Sequence, residues 1–201
     1  MRKLPLSFYH QEDVNQLARQ LLGKHLYTLI EGELTGGIIV ETEAYNGITD
    51  KASHAYGGRF TDRTKVMYES GGLSYVYLCY GIHHLFNVVT GVEGTPQAVL
   101  IRGLEPIEGL DIMLRRRNMP ALKPNLTAGP GALAKALGID RALNAKDLMG
   151  EEIWIADAGL SYTREEIVAS PRVGVDYAGD HALLPWRYYV KGNRFVSKPN
   201  T

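Results

Sequence analysis

The sequence predicts a mixed α+β fold, with helices packed around a curved antiparallel sheet and a β-hairpin protruding from it. Three observations lead there. β-like runs follow one another at short separation over residues 25–30, 35–45, 74–80, 83–90 and 97–104, which favours antiparallel neighbours. Apolar residues recur at helical spacing in the stretches outside those runs. No repeat, low-complexity tract or Pro/Ser-rich linker divides the 201 residues, so 1–201 is read as one domain.

The first element is a helix carrying Val14, Leu17, Ala18, Leu21 and Leu22 on one face and stopping at Gly23, where glycine suits the left-handed cap. Two strand runs follow it. Ser74 and its successors then lead to Tyr80-Gly81, read as a hairpin tip between the third and fourth runs. After the fifth run, Pro106 is expected to open a helix carrying Ile107, Leu110, Met113 and Leu114. A further helix is expected to start at Gly129-Pro130-Gly131, carry Leu133, Ala136 and Leu137 and end before Gly138, since proline is well tolerated in a first helical turn. Val173, Val175, Tyr188, Tyr189 and Val190 point to late strands that rejoin the sheet.

Composition narrows the function classes. Hydrophobic residues make up 45% of the chain, enough for a core, and the single cysteine, Cys79, cannot form an internal disulfide. No signal-like stretch follows Met1, and the longest apolar runs fall far short of the ~20 residues of a membrane span. An intracellular, cytoplasmic protein without a membrane partner is expected, associated with the nucleoid if bacterial. The 22 basic and 22 acidic side chains cancel, so net charge gives no sign of a nucleic-acid partner. Their distribution is uneven. Residues 147–166 hold six acids and one base, while 182–201 hold Arg187, Lys191, Arg194 and Lys198 and no acid; Arg115 to Arg117 and the group Lys51, Arg59, Arg63 and Lys65 form two more basic clusters.

The segment Gly36 to Tyr45 carries the chemistry. A strand's period of two puts Ile39, Glu41, Glu43 and Tyr45 on one face and Ile38, Val40, Thr42 and Ala44 on the other. Two carboxylates and a tyrosine on one face read either as a solvated side or as a general base beside an aromatic platform. Tyr75 and Tyr77 project to one side of the next hairpin, with Tyr80 at its tip as a packing residue or a wedge. His54, Asn87 and Arg102 add groups able to hydrogen-bond a polar ring.

Glu41-Thr42-Glu43-Ala44-Tyr45, Ala52-Ser53-His54, Gly57-Gly58-Arg59, Thr61-Asp62-Arg63, Tyr75-Val76-Tyr77 with Tyr80-Gly81, Asn87 and Leu100 to Pro106 together resemble the alkyladenine (3-methyladenine) DNA glycosylase family, the mammalian-type methylpurine DNA glycosylases. Ala128-Gly129-Pro130 and Arg172-Val173-Gly174-Val175 extend the resemblance, in order, from about residue 17 to residue 189. It implies excision of alkylated or deaminated purines from double-stranded DNA, leaving an abasic site, by a monomer with no metal or organic cofactor. The base would be flipped into a pocket, as glycosylases do. The resemblance puts Tyr45, His54 and Tyr77 around that base, Tyr80 in the vacated space, and Asn87 against the exocyclic amino group of guanine. Glu43 would deprotonate the attacking water, with Arg102 as its partner and Glu41 as a supporting acid.

An electron-rich tyrosine lining suits bases made cationic by alkylation at N3 or N7, by ~0.5 to 2 kcal/mol. Arg59, Arg115 and Gly131, the last at a helix start with free N–H groups, are candidate phosphate contacts. No lysine lies in the motif segments, which argues for water as nucleophile and against a Schiff base. The 83–86 stretch departs from the family pattern, so the ranking among 3-methyladenine, 7-methylguanine, hypoxanthine and ethenoadenine stays open. Three competitors explain less. A noncatalytic helix-hairpin-helix module leaves Glu43 and Arg102 without a role. A glycoside hydrolase needs carboxylates on opposite sides of a bond. A zinc site of His54, His83, His84 or Cys79 lacks ligand spacing.

Overall fold

Strand β3 (Glu33–Tyr45) is the spine of the molecule, because three different strands pair with it. The structure is a computed structural model that describes residues 1–197; Lys198 of the basic C-terminal run lies outside the described residues. The first half of β3 pairs with β2 (His25–Ile30), and Glu41, Thr42 and Glu43 pair on the same side with β9 (Arg187–Val190). Its other side pairs with β6 (Gln97–Glu108) from Gly36 to Tyr45. Outward from β6 lie β5 (His83–Thr90) and β4 (Ser74–Cys79); outward from β2 lie β7 (Ile153–Asp157) and the two-residue β1 (Arg2–Lys3); β8 (Ile167–Ser170) pairs with β9. All pairings are antiparallel, and the nine strands curl into a half-barrel.

Among the described residues four α-helices accompany the sheet: α1 (Leu6–Tyr9), α2 (Val14–Gln20), α3 (Leu110–Arg117) and α4 (Pro130–Leu137). In α2 the Asp13 carboxylate accepts from the N–H groups of Asn15 and Gln16, two donors that have no intrahelical partner. Its apolar face, Val14, Leu17 and Ala18 with Leu21 just beyond, is buried in the main core. Burying one such leucine side chain contributes about 1.5–3 kcal/mol. The Thr42 hydroxyl ties this helix to β3 by donating to the Ala18 carbonyl at 2.9 Å. Helix α4 buries Leu133, Ala134, Ala136 and Leu137 in the same core and ends at Gly138 in the left-handed conformation, as its sequence suggests.

Two expectations are corrected. Pro106 opens no helix: β6 runs through it to Glu108, and α3 starts at Leu110 after Gly109. Among the described residues β5 pairs with Gln97–Leu100 of β6, and beyond an isolated bridge from Gly103 to Ala128 the later part of β6 pairs with β3 alone, the edge situation in which a proline is accommodated. Val173 and Val175 belong to no strand; β8 and β9 lie on either side of them. Ile39 and Val40 are both fully buried in the apolar core. The β3–β6 ladder is doubly irregular here, where pairing skips Val40 on one strand and Arg102 on the other.

The 153–157 strand was absent from the strands expected, and so was the single turn α1. Gly36 and Gly37 let neighbours cross β3 closely: a Cβ at Gly36 would lie 2.2 Å from the Tyr27 ring, and one at Gly37 would lie 2.1 Å from Leu104 Cδ2 and 2.5 Å from the Glu105 carbonyl oxygen. Gly37→Ala is therefore expected to destabilise the fold by about 1–3 kcal/mol, the range for overpacking a filled core. Urea unfolding checks it, and an unchanged midpoint would contradict the close approach.

Candidate active site

The hairpin β4–β5, the loop that follows β3 and the 173–177 segment enclose a cavity of about 720 Å³, within the ~300–1,000 Å³ common for small-molecule sites. Tyr45, His54, Tyr77, Asn87 and Arg102, five of the residues singled out above, line it together. Tyr75 and Tyr77 stand two apart on β4, so both face inward, their rings 5.2 Å apart. His54 meets Tyr77 edge to face at 4.7 Å. Asn87 is buried and donates from Nδ2 to the Tyr75 carbonyl at 3.0 Å, which fixes the amide at the cavity wall. At the hairpin tip Tyr80 and Gly81 take φ of 50° and 73°, consecutive left-handed residues that turn the chain tightly. Tyr80 is 88% exposed.

Glu43 is fully buried, behind the cavity wall rather than on it. Three lining residues reach it. The Tyr45 hydroxyl donates to Oε2 at 2.8 Å, the Val173 N–H donates to Oε1 at 2.7 Å, and Arg102 Nη1 lies 3.4 Å from Oε1. An ionised carboxylate offers about four acceptor directions. At least one therefore remains on Oε2.

Arg102 is shared, and its tighter partner is Glu41. Its Nε donates to Glu41 Oε1 at 3.0 Å, and Arg187 Nε donates to the same oxygen at 2.8 Å. Ser197 adds its N–H on Oε2 at 2.6 Å and its hydroxyl on Oε1 at 2.9 Å. Glu41 is thus the hub of a buried group of two carboxylates and two guanidinium ions. Burial disfavours the Arg102 charge, but Glu43 and Glu41 outweigh it and raise the pKa above the ordinary arginine value. Asp50 and Arg172 form a second buried pair, bridged at 2.5 and 2.9 Å. The Arg172 guanidinium lies 4.8 Å over the Tyr45 ring and 5.1 Å over Trp186, which braces Tyr45.

Arg187, Asp50 and Arg172 did not stand out as site residues. Arg187 had a signal, a lone cation inside the apolar run Trp186 to Val190; Asp50 had none, lying in what reads as a polar turn. A lysine does line the cavity, contrary to expectation. Lys51 Nζ is 2.7 Å from Asp180, and that carboxylate raises its pKa, so the amine is held protonated and poorly nucleophilic.

The candidate phosphate contacts fall in different places. Arg59 lines the cavity mouth. Gly131 packs on the hairpin, where a Cβ would lie 2.8 Å from the His83 ring. Arg115 lies outside the cavity and pairs with Glu33, as does Arg116 at 3.1 Å. His83 and Cys79 are register partners, but no cluster of three or more metal-ligating side chains occurs among the described residues.

The Arg63 guanidinium can only donate, and its Nη2 lies 3.2 Å from His54 Nε2, so Nε2 accepts and Nδ1–H faces the Tyr75 hydroxyl at 2.8 Å. Burial first, and then Arg63 and Arg59, push the His54 pKa down to about 4. An unfolded chain binds that proton near 6.5. His54 should therefore erode stability progressively as pH falls from about 6.5 to about 4, and add no further loss below. The expected outcome is an imidazole titration near 4 by NMR, with a flatter stability profile over that window in His54→Gln. A titration midpoint at the free value would contradict this environment.

Residues 7–194 match the model of the methylpurine-DNA glycosylase family. Three relatives carry the name "Putative 3-methyladenine DNA glycosylase". One from Desulfitobacterium hafniense (strain Y51) is 46% identical, covering 98% of this chain and 99% of its own length. One from Bacillus cereus (strain G9842) is 48% identical, covering 96% and 98%. One from Chlamydia felis is 49% identical, covering 93% and 95%. With the aromatic cavity, the buried carboxylates behind it and a match over nearly its whole length, this chain belongs to the methylpurine-DNA glycosylase family.

Proposed function

We propose that this protein excises alkylated and deaminated purines from double-stranded DNA as a monofunctional glycosylase, with Glu43 as general base. The observation that carries the reading is the hydrogen bond from the Tyr45 hydroxyl to Glu43, which joins the aromatic wall directly to the buried carboxylate. A purine flipped against that wall would have its glycosidic bond near the carboxylate. A water on the open acceptor direction of Oε2 would give its proton to Glu43 while its oxygen bonds to C1′. The C1′–N9 bond breaks and its electron pair leaves with the purine. Alkylation at N3 or N7 makes the bound purine cationic, so it departs neutral without a further proton. Hypoxanthine and ethenoadenine lack that charge and depend on hydrogen bonds, for which Asn87 and the His54 segment are the available groups.

Tyr80 is the proposed wedge. An aromatic side chain 88% exposed on a tight hairpin tip next to the cavity can fill the space a flipped nucleotide leaves. Protonated, ion-paired Lys51 supports water over an amine as nucleophile, and so cleavage of the base alone without strand scission.

Glu43→Gln is expected to reduce base release about 10²–10⁴-fold, the usual contribution of a positioned proton acceptor, while retaining binding to lesion DNA. Release from duplexes carrying hypoxanthine, ethenoadenine or methylated purines, measured without metal, checks it. If the wild type releases nothing yet binds DNA, a noncatalytic binding role is the better account. Tyr80→Ala should weaken binding to lesion duplex by about 1–3 kcal/mol, the scale of a lost base–aromatic stack, with unchanged thermal unfolding. Full activity in that variant would remove the wedge assignment.

A further inference from the structure

Arg63 is an exposed residue whose charged end nevertheless sits in the aromatic cavity. Its guanidinium lies 4.7 Å over the Tyr77 ring and donates to His54 Nε2 at 3.2 Å. Both positions belong to the surfaces that the proposed function gives to the flipped base. Among the described residues no carboxylate pairs with Arg63; Asp62 beside it pairs with Lys65. No carboxylate therefore neutralises the cation there, and the Tyr77 face, the His54 nitrogen and the Tyr75 hydroxyl are what hold it.

A tyrosine face attracts a cation through its ring quadrupole, and it can hold only one at a time. The protein's own guanidinium is thus a rival for the surface expected to favour a base made cationic by alkylation. We propose that Arg63 occupies the base-binding face of Tyr77 when the cavity is empty, and that its charge selects against cationic purines relative to neutral ones. This rests on the glycosylase reading above and adds a lesion preference to it.

Any entering base must displace Arg63, but the consequences differ by charge. A neutral purine exchanges one occupant of the Tyr77 face for another and frees His54 Nε2 as an acceptor. A cationic purine must in addition sit near a guanidinium that has only moved aside, in a site where Arg102 is neutralised by buried carboxylates and Lys51 by Asp180, and where Arg59 at the cavity mouth adds a further charge of the same sign. The exposed run Phe60 to Arg63 gives the side chain room to swing outward. The attraction that alkylation would earn on a bare tyrosine face is thereby offset by a residue of the same sign.

The test is single-turnover base release from otherwise identical duplexes carrying 7-methylguanine, which is cationic, and hypoxanthine or ethenoadenine, which are neutral. Wild type, Arg63→Gln and Arg63→Lys are compared. Arg63→Gln is expected to raise the cationic-to-neutral ratio of kcat/KM by about two- to thirtyfold, the range of one cation–π contact. Arg63→Lys keeps the charge and should stay near the wild-type ratio. A uniform change across all lesions in Arg63→Gln, or an equal shift of the ratio in both variants, would overturn the proposal. Failure of the wild type to release any base would instead defeat the glycosylase reading. Independently of catalysis, Arg63→Gln should move the His54 titration upward from about 4, and an unmoved titration would show that Arg63 does not occupy the cavity.

Discussion

The rest of the structure depends on the burial of two carboxylates on neighbouring positions of one strand. An unpaired charge in a protein interior is so unfavourable that it is not tolerated, and removing one partner of a buried pair typically loses about 3–5 kcal/mol. Glu41 and Glu43 therefore require Arg102 from β6 and Arg187 from β9, which flank β3 on its two sides. The double irregularity in the ladder at Val40 and Arg102 sits where this group assembles. Within it the carboxylates divide the work. Glu41 takes most of the cationic contacts, so Glu43 is left with one 3.4 Å arginine contact and two neutral donors, and keeps an acceptor direction free.

Around that group the cavity combines electron-rich surfaces with fixed cations. Tyr45 is braced from Arg172, which Asp50 neutralises, whereas Tyr77 meets an arginine with no carboxylate partner among the described residues. His54 stays uncharged near neutral pH because burial and two arginines oppose its protonation, and it offers one donor and one acceptor. Burial likewise raises the pKa values of Tyr45, Tyr75 and Tyr77, so their hydroxyls remain donors. The hydrogen-bonding pattern of the wall is thus independent of pH over the neutral range.

Much of this was legible from residues alone because the central strands follow each other as antiparallel neighbours and their apolar runs are long. The 153–157 strand was hidden by its surroundings: its apolar Ile153, Trp154 and Ile155 lie among six acids that draw the eye to charge. Pro106 misled because a proline ahead of an apolar helical pattern obeys the same local rule whether or not a strand edge accommodates it first. A period of two placed Glu43 and Tyr45 together, and the structure joins them by a hydrogen bond; no local signal marked the irregularity in the ladder beside Glu41. The candidates Glu43, Tyr45, His54, Tyr77, Asn87 and Arg102 stood out through ordered motifs, and the fold brings them to one cavity and the carboxylate behind it. Asp50, Arg172 and Arg187 acquire their roles only from partners far away in the chain, 122 and 146 residues distant.

That separation has a consequence for how the protein comes into being. Glu41 is synthesised early, yet Arg187 and Ser197 are 146 and 156 residues later. At roughly 5–20 residues per second, the carboxylate emerges on the order of ten seconds before Arg187, the second of its two guanidinium partners. During that interval Arg102 alone faces the two carboxylates of β3. The central strand of the sheet is thus among the first made, while its second guanidinium partner is among the last residues to arrive. The 173–177 wall of the cavity is made late as well, so wall and charge balance are completed by the same closing stretch of the chain.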